Sequence, residues 1–324
     1  YSYGLRPKGG TDTWTGYVLG FGQCEYYCTV GTNRTIQYFH NNVNLQFWIR
    51  GYFTSDAIGL TDGILVSNNV PAAWTAYDLS ATCPAGTQFA LFRIQRPGGA
   101  AQISLRCNGS TDNRLQAAAA HSNYGAIMGV DSARKIQLYG PGDGSMIIYL
   151  VGYVTQGRRR VNGLDKSLAV VGSYQAVNVA TDYPPFGYAG VVIEHRTTGA
   201  SAYDYCYRSK GSTDDHYTLR RSTIAYVCVG LDSVREFQLK ISNVAEDTYI
   251  LGYLMKPSIK KTLFPTLDIG EFKNGRYHRM PVTTQEALLG GHTLSSILTG
   301  YANGLIMTDA FIQCLKGSLT TELI

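Results

Sequence analysis

Apolar and polar positions alternate with period two over short stretches of the chain. Val43, Leu45, Phe47 and Ile49 are separated by Asn44 and Gln46 and then Trp48. Successive side chains of a strand point to opposite faces, so this alternation predicts a half-buried strand that ends at Gly51-Tyr52. Strict alternation puts Trp48 and Tyr52 on the face opposite the aliphatic residues. The same reading applies to Ile148-Tyr149-Leu150-Val151-Gly152-Tyr153 and to Tyr249-Ile250-Leu251-Gly252-Tyr253, pairing Tyr149 with Tyr153 and Tyr249 with Tyr253 on one face.

These runs are one anchor of an internal repeat, their glycines recurring at intervals of 101 and 100 residues. A second anchor is Tyr1-Ser2-Tyr3 through Lys8-Gly9-Gly10-Thr11-Asp12, matched by Asn108-Gly109-Ser110-Thr111-Asp112. It returns as Tyr203-Asp204-Tyr205 through Lys210-Gly211-Ser212-Thr213-Asp214, and Gly9, Gly109 and Gly211 are 100 and 102 residues apart. The third anchor is Asn33-Arg34-Thr35-Ile36-Gln37, repeated as Ala133-Arg134-Lys135-Ile136-Gln137 and Val234-Arg235-Glu236-Phe237-Gln238. Self-similarity at a fixed period identifies a structural unit. The phase divides the chain into the C-terminal half of a module at 1–51, complete modules at 52–152 and 153–252, and a tail at 253–324.

The Gly-Ser/Thr-Asp anchor has turn chemistry and should join two strands, since Gly reaches positive φ freely and Asp and Ser bond their own backbone. Arg34, Arg134 and Arg235 fall at a strand entrance, where a salt bridge or a carbonyl clamp common to all modules is expected. Pro71, Pro84, Pro184 and Pro185 punctuate the intervening Val-, Ala- and Tyr-rich stretches. Short strands with frequent turn signals predict an all-β fold of tandem β-sandwich modules, jelly-roll-like or immunoglobulin-like. In the tail, Pro257, Pro265 and Gly270 mark a loop, and Thr283-Thr284-Gln285-Glu286 fits a capping box opening a short helix at Ala287, Leu288 and Leu289.

Composition agrees with strands: the 324 residues include 24 Tyr and 36 Gly, and only 16% are charged. That length buries cores without help from a metal or cofactor, and none is predicted. The net charge of +5 comes from mostly dispersed basic residues, with clusters no longer than Arg158, Arg159, Arg160 or the pair Lys260, Lys261, so no nucleic-acid groove is indicated. No apolar run is long enough for a membrane-spanning helix. The six histidines lack metal-ligand spacing, no Gly-x-Ser-x-Gly elbow occurs, and Gly140-Pro141-Gly142-Asp143-Gly144 reads as a hairpin turn, so no catalytic residue is assigned.

The odd count of seven cysteines leaves two readings open, disulfides or buried thiols; Cys206 with Cys228 and Cys24 with Cys28 are the local pairings. Asn33 and Asn108 open glycosylation acceptor patterns. Tyr203 and Tyr205 are the candidate glycan-stacking aromatics, against the alternative that they stabilise the sheet by packing. A module that opens at its midpoint needs completing, and the tail carries the apolar residues Leu305, Ile306, Phe311 and Ile312 that need cover. The expectation is that the tail completes the N-terminal half module, in the same chain or in a neighbour, with Tyr1, Tyr3 and those four tail residues at the junction.

The Arg6-Pro7-Lys8-Gly9-Gly10-Thr11-Asp12 and Lys210-Gly211-Ser212-Thr213-Asp214 turns, with the Ile148-Tyr149-Leu150-Val151-Gly152-Tyr153-Val154 strand, resemble β-sandwich modules of virion structural proteins such as phage fibre and capsid-surface proteins. The resemblance implies a non-enzymatic assembly protein, located in a virion or outside the cell, whose partners are other copies of itself, further virion proteins or surface glycans. The alternatives are a secreted filament or matrix glycoprotein and a carbohydrate-binding adhesive protein.

Overall fold

A computed structural model describes residues 2–7, 9–12, 16–17, 27–29, 36–40, 52–53, 57–96, 101–118, 122–182, 187–197, 202–215, 218–221, 224–255, 267–273 and 276–282. Tyr1, Asn33, Cys24, Leu305, Ile306, Phe311, Ile312 and the helix expected near Ala287 lie outside these residues, and Tyr3 is described by its backbone alone. The chain forms two compact units, Tyr1–Pro257 and Ser258–Ile324.

The described secondary structure is almost entirely antiparallel β. An N-terminal three-stranded sheet has the order β2-β1-β3, from β1 (Ser2–Pro7), β2 (Gly16–Tyr17) and β3 (Ile36–His40). Eight strands then build a first sandwich: β4 (Ala57–Ser67), β5 (Thr75–Asp78), β6 (Phe89–Arg96), β7 (Ala101–Cys107), β8 (Gln116–Ala118), β9 (Ser122–Gly129), β10 (Lys135–Tyr139) and β11 (Ile147–Val154). Its sheets are β4-β11-β6-β9 and β5-β10-β7-β8. Eight more repeat the pattern: β12 (Gly157–Asp165), β13 (Gln175–Asn178), β14 (Tyr188–Thr197), β15 (Ala202–Ser209), β16 (Thr218–Arg221), β17 (Ile224–Gly230), β18 (Glu236–Ile241) and β19 (Glu246–Met255). Their sheets, β12-β19-β14-β17 and β13-β18-β15-β16, match the first pair strand for strand. The order β2-β1-β3 likewise matches β8-β7-β10 and β16-β15-β18, so the tandem β-sandwich reading holds.

Period-two burial is plain in β10, β11 and β18, which alternate half-buried and buried residues. The central strands β6 and β14 are buried at nearly every position because both of their faces are covered. In β14, Val191 and Ile193 point into the core of the second sandwich, whereas Val192 joins the core cluster of the first, with Ile224, Tyr226 and Leu251. The two sandwiches therefore share apolar packing.

The Gly-Tyr anchor is a β-bulge. In β19, Ile250 pairs with Ile193 and Gly252 with Val192, leaving Leu251 over; in β11, Leu150 pairs with Phe92 and Gly152 with Leu91, leaving Val151 over. In β19 the extra residue breaks the alternation. Tyr253 turns into the second core, while Tyr249 faces outward under the Arg114 guanidinium, so these two tyrosines do not share a face as strict alternation predicts. Glycine is required because the leading strand passes close by: a Cβ on Gly152 would lie 2.6 Å from the Ile58 carbonyl oxygen, and one on Gly252 2.6 Å from that of Arg158.

In the second unit, β20 (Leu267–Lys273) and β21 (Arg276–Val282) pair from Leu267 with Val282 to Lys273 with Arg276. Gly270 thus lies inside a strand, where the sequence reading had a loop. The signal passed over is Asn274-Gly275, the dipeptide favoured in two-residue hairpin loops.

Candidate functional site

The second anchor builds the same turn three times. Gly9, Gly109 and Gly211 adopt φ of 91°, 82° and 87°, a region that favours glycine. The turn closes when the amides of Gly10, Ser110 and Ser212 donate to the carbonyls of Pro7, Cys107 and Ser209. An arginine on the preceding strand steadies each turn. Arg6, Arg106 and Arg208 donate through Nε to Gln37, Gln137 and Gln238 at 2.8, 2.7 and 2.8 Å, and through a terminal nitrogen to the carbonyls of Asp12, Asp112 and Asp214. Each arginine sits directly opposite its glutamine across the ladder. This explains why Gln recurs in the third anchor. In that anchor Arg34 lies outside the described residues, and Arg134 and Arg235 take positive φ of 62° and 64°, closing hairpin turns in which their amides donate to the Asp131 and Asp232 carbonyls.

Two of the three turns hold the leading strand of the next sandwich. At the first junction the Thr11 amide donates to Asp62 Oδ1 at 2.8 Å, and the Gly63 amide donates to Asp12 Oδ2 at 3.0 Å. At the second, the Thr111 amide donates to Asn162 Oδ1 at 2.9 Å, Ser110 Oγ donates to the same oxygen at 2.8 Å, and the Gly163 amide donates to Asp112 Oδ2 at 2.7 Å. The exchange is reciprocal, a Thr-Asp step on one element against an Asx-Gly step on the next. Asp62-Gly63 and Asn162-Gly163 themselves recur at the repeat interval and could have been read as a fourth anchor.

The second junction also carries a buried ion pair. Arg114 Nε and a terminal nitrogen donate to both oxygens of Glu194 at 3.0 and 2.9 Å, its other terminal nitrogen lies 2.7 Å from Asp112 Oδ2, and the guanidinium stacks 4.3 Å from the Tyr249 ring centre. Burial pushes the Glu194 carboxyl up, and Arg114 opposes that push. Burial also works against the Arg114 charge, but Glu194 and then Asp112 outweigh it, holding the guanidinium protonated more firmly than an ordinary arginine. No sequence signal links Arg114 to Glu194, which stand 80 residues apart.

Elsewhere the second sandwich buries a polar cluster. Tyr207 Oη lies 2.6 Å from His195 Nδ1 and 2.9 Å from Thr248 Oγ1, His195 Nε2 is 3.5 Å from Glu246 Oε1, and the Tyr205 ring stacks 3.8 Å from the imidazole. The amides of Ser242 and Asn243 donate to Glu246 Oε2. In the same register positions the first sandwich has Ile94, Leu105 and Ile148. Acid–base residue types are present, but they are sealed between sheets rather than set in a cleft.

The remaining sequence candidates distribute as follows. Tyr205 is 1% exposed and packed on His195, so it presents no ring to a glycan; Tyr203 is half-buried. Trp74 and Tyr174 hold equivalent places on the outer sheets, each with a ring face covered by Arg106 or Arg208 at 4.0 and 3.5 Å. Of the two readings that the sequence left open, disulfides or buried thiols, the structure has Cys206 and Cys228 as free thiols. The reason is geometric: Tyr205 and Tyr207 point into the second core, which turns Cys206 outward on one sheet, while Cys228 packs against the first sandwich from the outer face of the other. Cys28 is also free, with burial pushing its thiol up to about 11. Asn108 Nδ2 donates to Asp131 Oδ2 at 2.7 Å. Among the described residues no cluster of three or more His, Cys, Asp or Glu is arranged to hold a metal, and no helix is long and apolar enough to cross a membrane.

No protein-family model matches the chain, and no curated protein sequence matches it. Among solved structures, it is similar to the tandem CBM22-1–CBM22-2 domain of Paenibacillus barcinonensis Xyn10C at 9% identity, over 60% of this chain and 86% of that one, with a TM-score of 0.18. It is also similar to the M60 catalytic domain with CBM51-1 and CBM51-2 of Clostridium perfringens ZmpB at 8% identity, over 70% of this chain and 40% of that one, with a TM-score of 0.19. Likeness at these TM-scores bears on neither fold nor function.

Proposed function

We propose that this chain is a non-enzymatic structural protein, a series of β-sandwiches locked to one another so that the array resists bending and separation, serving assembly in a virion or extracellular setting. The observation that carries the reading is the twice-built junction, in which a Thr-Asp turn and an Asx-Gly strand exchange hydrogen bonds in the same way at both contacts. Tandem domains that merely follow one another are joined by few contacts and move independently. Here a buried ion pair and a common apolar cluster accompany the clamp, and only Thr155 and Gln156 separate β11 from β12. Fixed geometry of that kind suits a scaffold.

The test removes the clamp without touching either core. Wild-type chain is carried through a urea series with hydrogen exchange read separately over 57–154 and 157–255, and the two segments are expected to open in one transition. The double variant Asp112→Ala/Asn162→Ala is expected to split that transition, because hydrogen bonds to a charged group contribute about 1.5–3 kcal/mol each. Independent opening of the two segments in wild type would overturn the reading, as would an unsplit transition in the variant.

A further inference from the structure

We infer that the third turn, Ser212-Thr213-Asp214, is a vacant copy of the clamp and receives the leading strand of a sandwich module carried on a separate polypeptide. This deepens the structural reading above and rests on it.

The turn is fully built. Gly211 has the required φ of 87°, the Asp214 amide donates to Ser212 Oγ at 3.1 Å as the Asp112 amide does to Ser110 Oγ, and Arg208 donates to the Asp214 carbonyl at 2.9 Å. Tyr174 Oη donates to the same carbonyl at 3.1 Å. The occupied counterparts Asp12 and Asp112 are half-buried, but Asp214 is exposed, and among the described residues its carboxylate and the Thr213 amide have no partner. A groove organised in advance loses little conformational freedom when a strand docks.

The chain's own continuation has the wrong chemistry to fill it. At both occupied junctions the contacts that Thr and Asp of the turn make with the Asx-Gly step span 51 residues. The same step from Thr213 and Asp214 reaches Phe264 and Pro265. Phe264 has no side-chain oxygen to accept from the Thr213 amide, and Pro265 has no N–H to donate to the Asp214 carboxylate. Both halves of the exchange are lost at that register. The occupant must therefore bring an Asp-Gly or Asn-Gly step on an exposed strand edge, as β4 and β12 do, and bind by the same reciprocal exchange, with the Asx side chain setting register.

The probe is a synthetic peptide with the sequence of residues 157–165, which carries Asn162-Gly163, titrated into isotope-labelled full-length chain and followed by amide chemical shifts. Saturable shifts are expected at Gly211 through Asp215. Asp214→Ala should weaken the peptide at least tenfold while leaving the thermal midpoint of the chain unchanged, since among the described residues that carboxylate holds nothing. A peptide with Pro in place of Gly163 should not bind. Equal binding of the Pro peptide, no effect of Asp214→Ala, or no saturable shift overturns the inference. Protection of the Thr213 amide from exchange in the free monomer also overturns it, because the site would already be filled from within the chain. Concentration-dependent shifts of the same amides without peptide support it and identify the partner as a second copy. The coupled unfolding of the two sandwiches does not involve Asp214, so a failure here leaves that result standing.

Discussion

Arg114 and Glu194 show how one side chain can decide whether a junction holds. Glu194 is fully buried on the outer face of β14, and Arg114 donates to both of its carboxylate oxygens. Removing one member of a buried pair strands the other charge, at a cost of about 3–5 kcal/mol. Arg114→Ala is therefore expected to destabilise the chain by that order at pH 7, read by urea unfolding. The pH dependence has a definite sign. Burial already raises the Glu194 carboxyl, and without Arg114 nothing comparable opposes it, so the folded variant takes up a proton more readily than the unfolded chain. The deficit is then present above the folded-state pKa and shrinks as pH falls through it. A gap between variant and wild type that is constant from pH 7 to pH 4.5 would contradict this account.

Strands and turns were legible in the sequence to different degrees. The three anchors were visible because each serves a local need that recurs in every module: positive φ at Gly109 and Gly211, the Arg–Gln cross-strand bond, and the glycine under the leading strand. The bulge was not visible, because an extra residue between Ile250 and Gly252 leaves composition unchanged and shows only in the pairing register; hence the wrong face for Tyr253. Arg114 with Glu194, and the placing of Cys206 and Cys228 on different sheets, could not be read either, since which strand faces which sheet is a tertiary fact. Glycines that look alike in the repeat also differ in purpose. At Gly211 nothing lies within 4 Å of an added Cβ, so Gly211→Ala meets only the left-handed backbone and should cost about 1–2 kcal/mol. At Gly252 an added Cβ would meet the Arg158 carbonyl and the Phe89 ring, each at 2.6 Å. Gly252→Ala must push a strand or a buried ring aside and should cost more, about 2–3 kcal/mol. Equal losses for the two variants in chemical denaturation would show that the close approach is not what selects glycine in the Gly-Tyr anchor.

For the first unit as a whole, the sequence suggested modules in series, each with its own core, and the packing departs from that at one place in particular. Phe89 is fully buried in the first core cluster, yet its ring also lies against Gly157 and Gly252, the backbone of β12 and β19 in the second sandwich. Phe237 is equally buried but belongs to the second core alone. Truncating either ring should cost about 3–5 kcal/mol, so total stability does not separate them. Where the loss appears does. Phe89→Ala is expected to speed amide exchange in both 57–154 and 157–255, because its cavity opens at the seam between them. Phe237→Ala is expected to speed exchange chiefly in 157–255, leaving β6 and β11 protected. If Phe89→Ala affected the first sandwich alone, the shared cluster would be contact without coupling, and the hydrogen-bonded clamp with its ion pair would have to hold the array by itself.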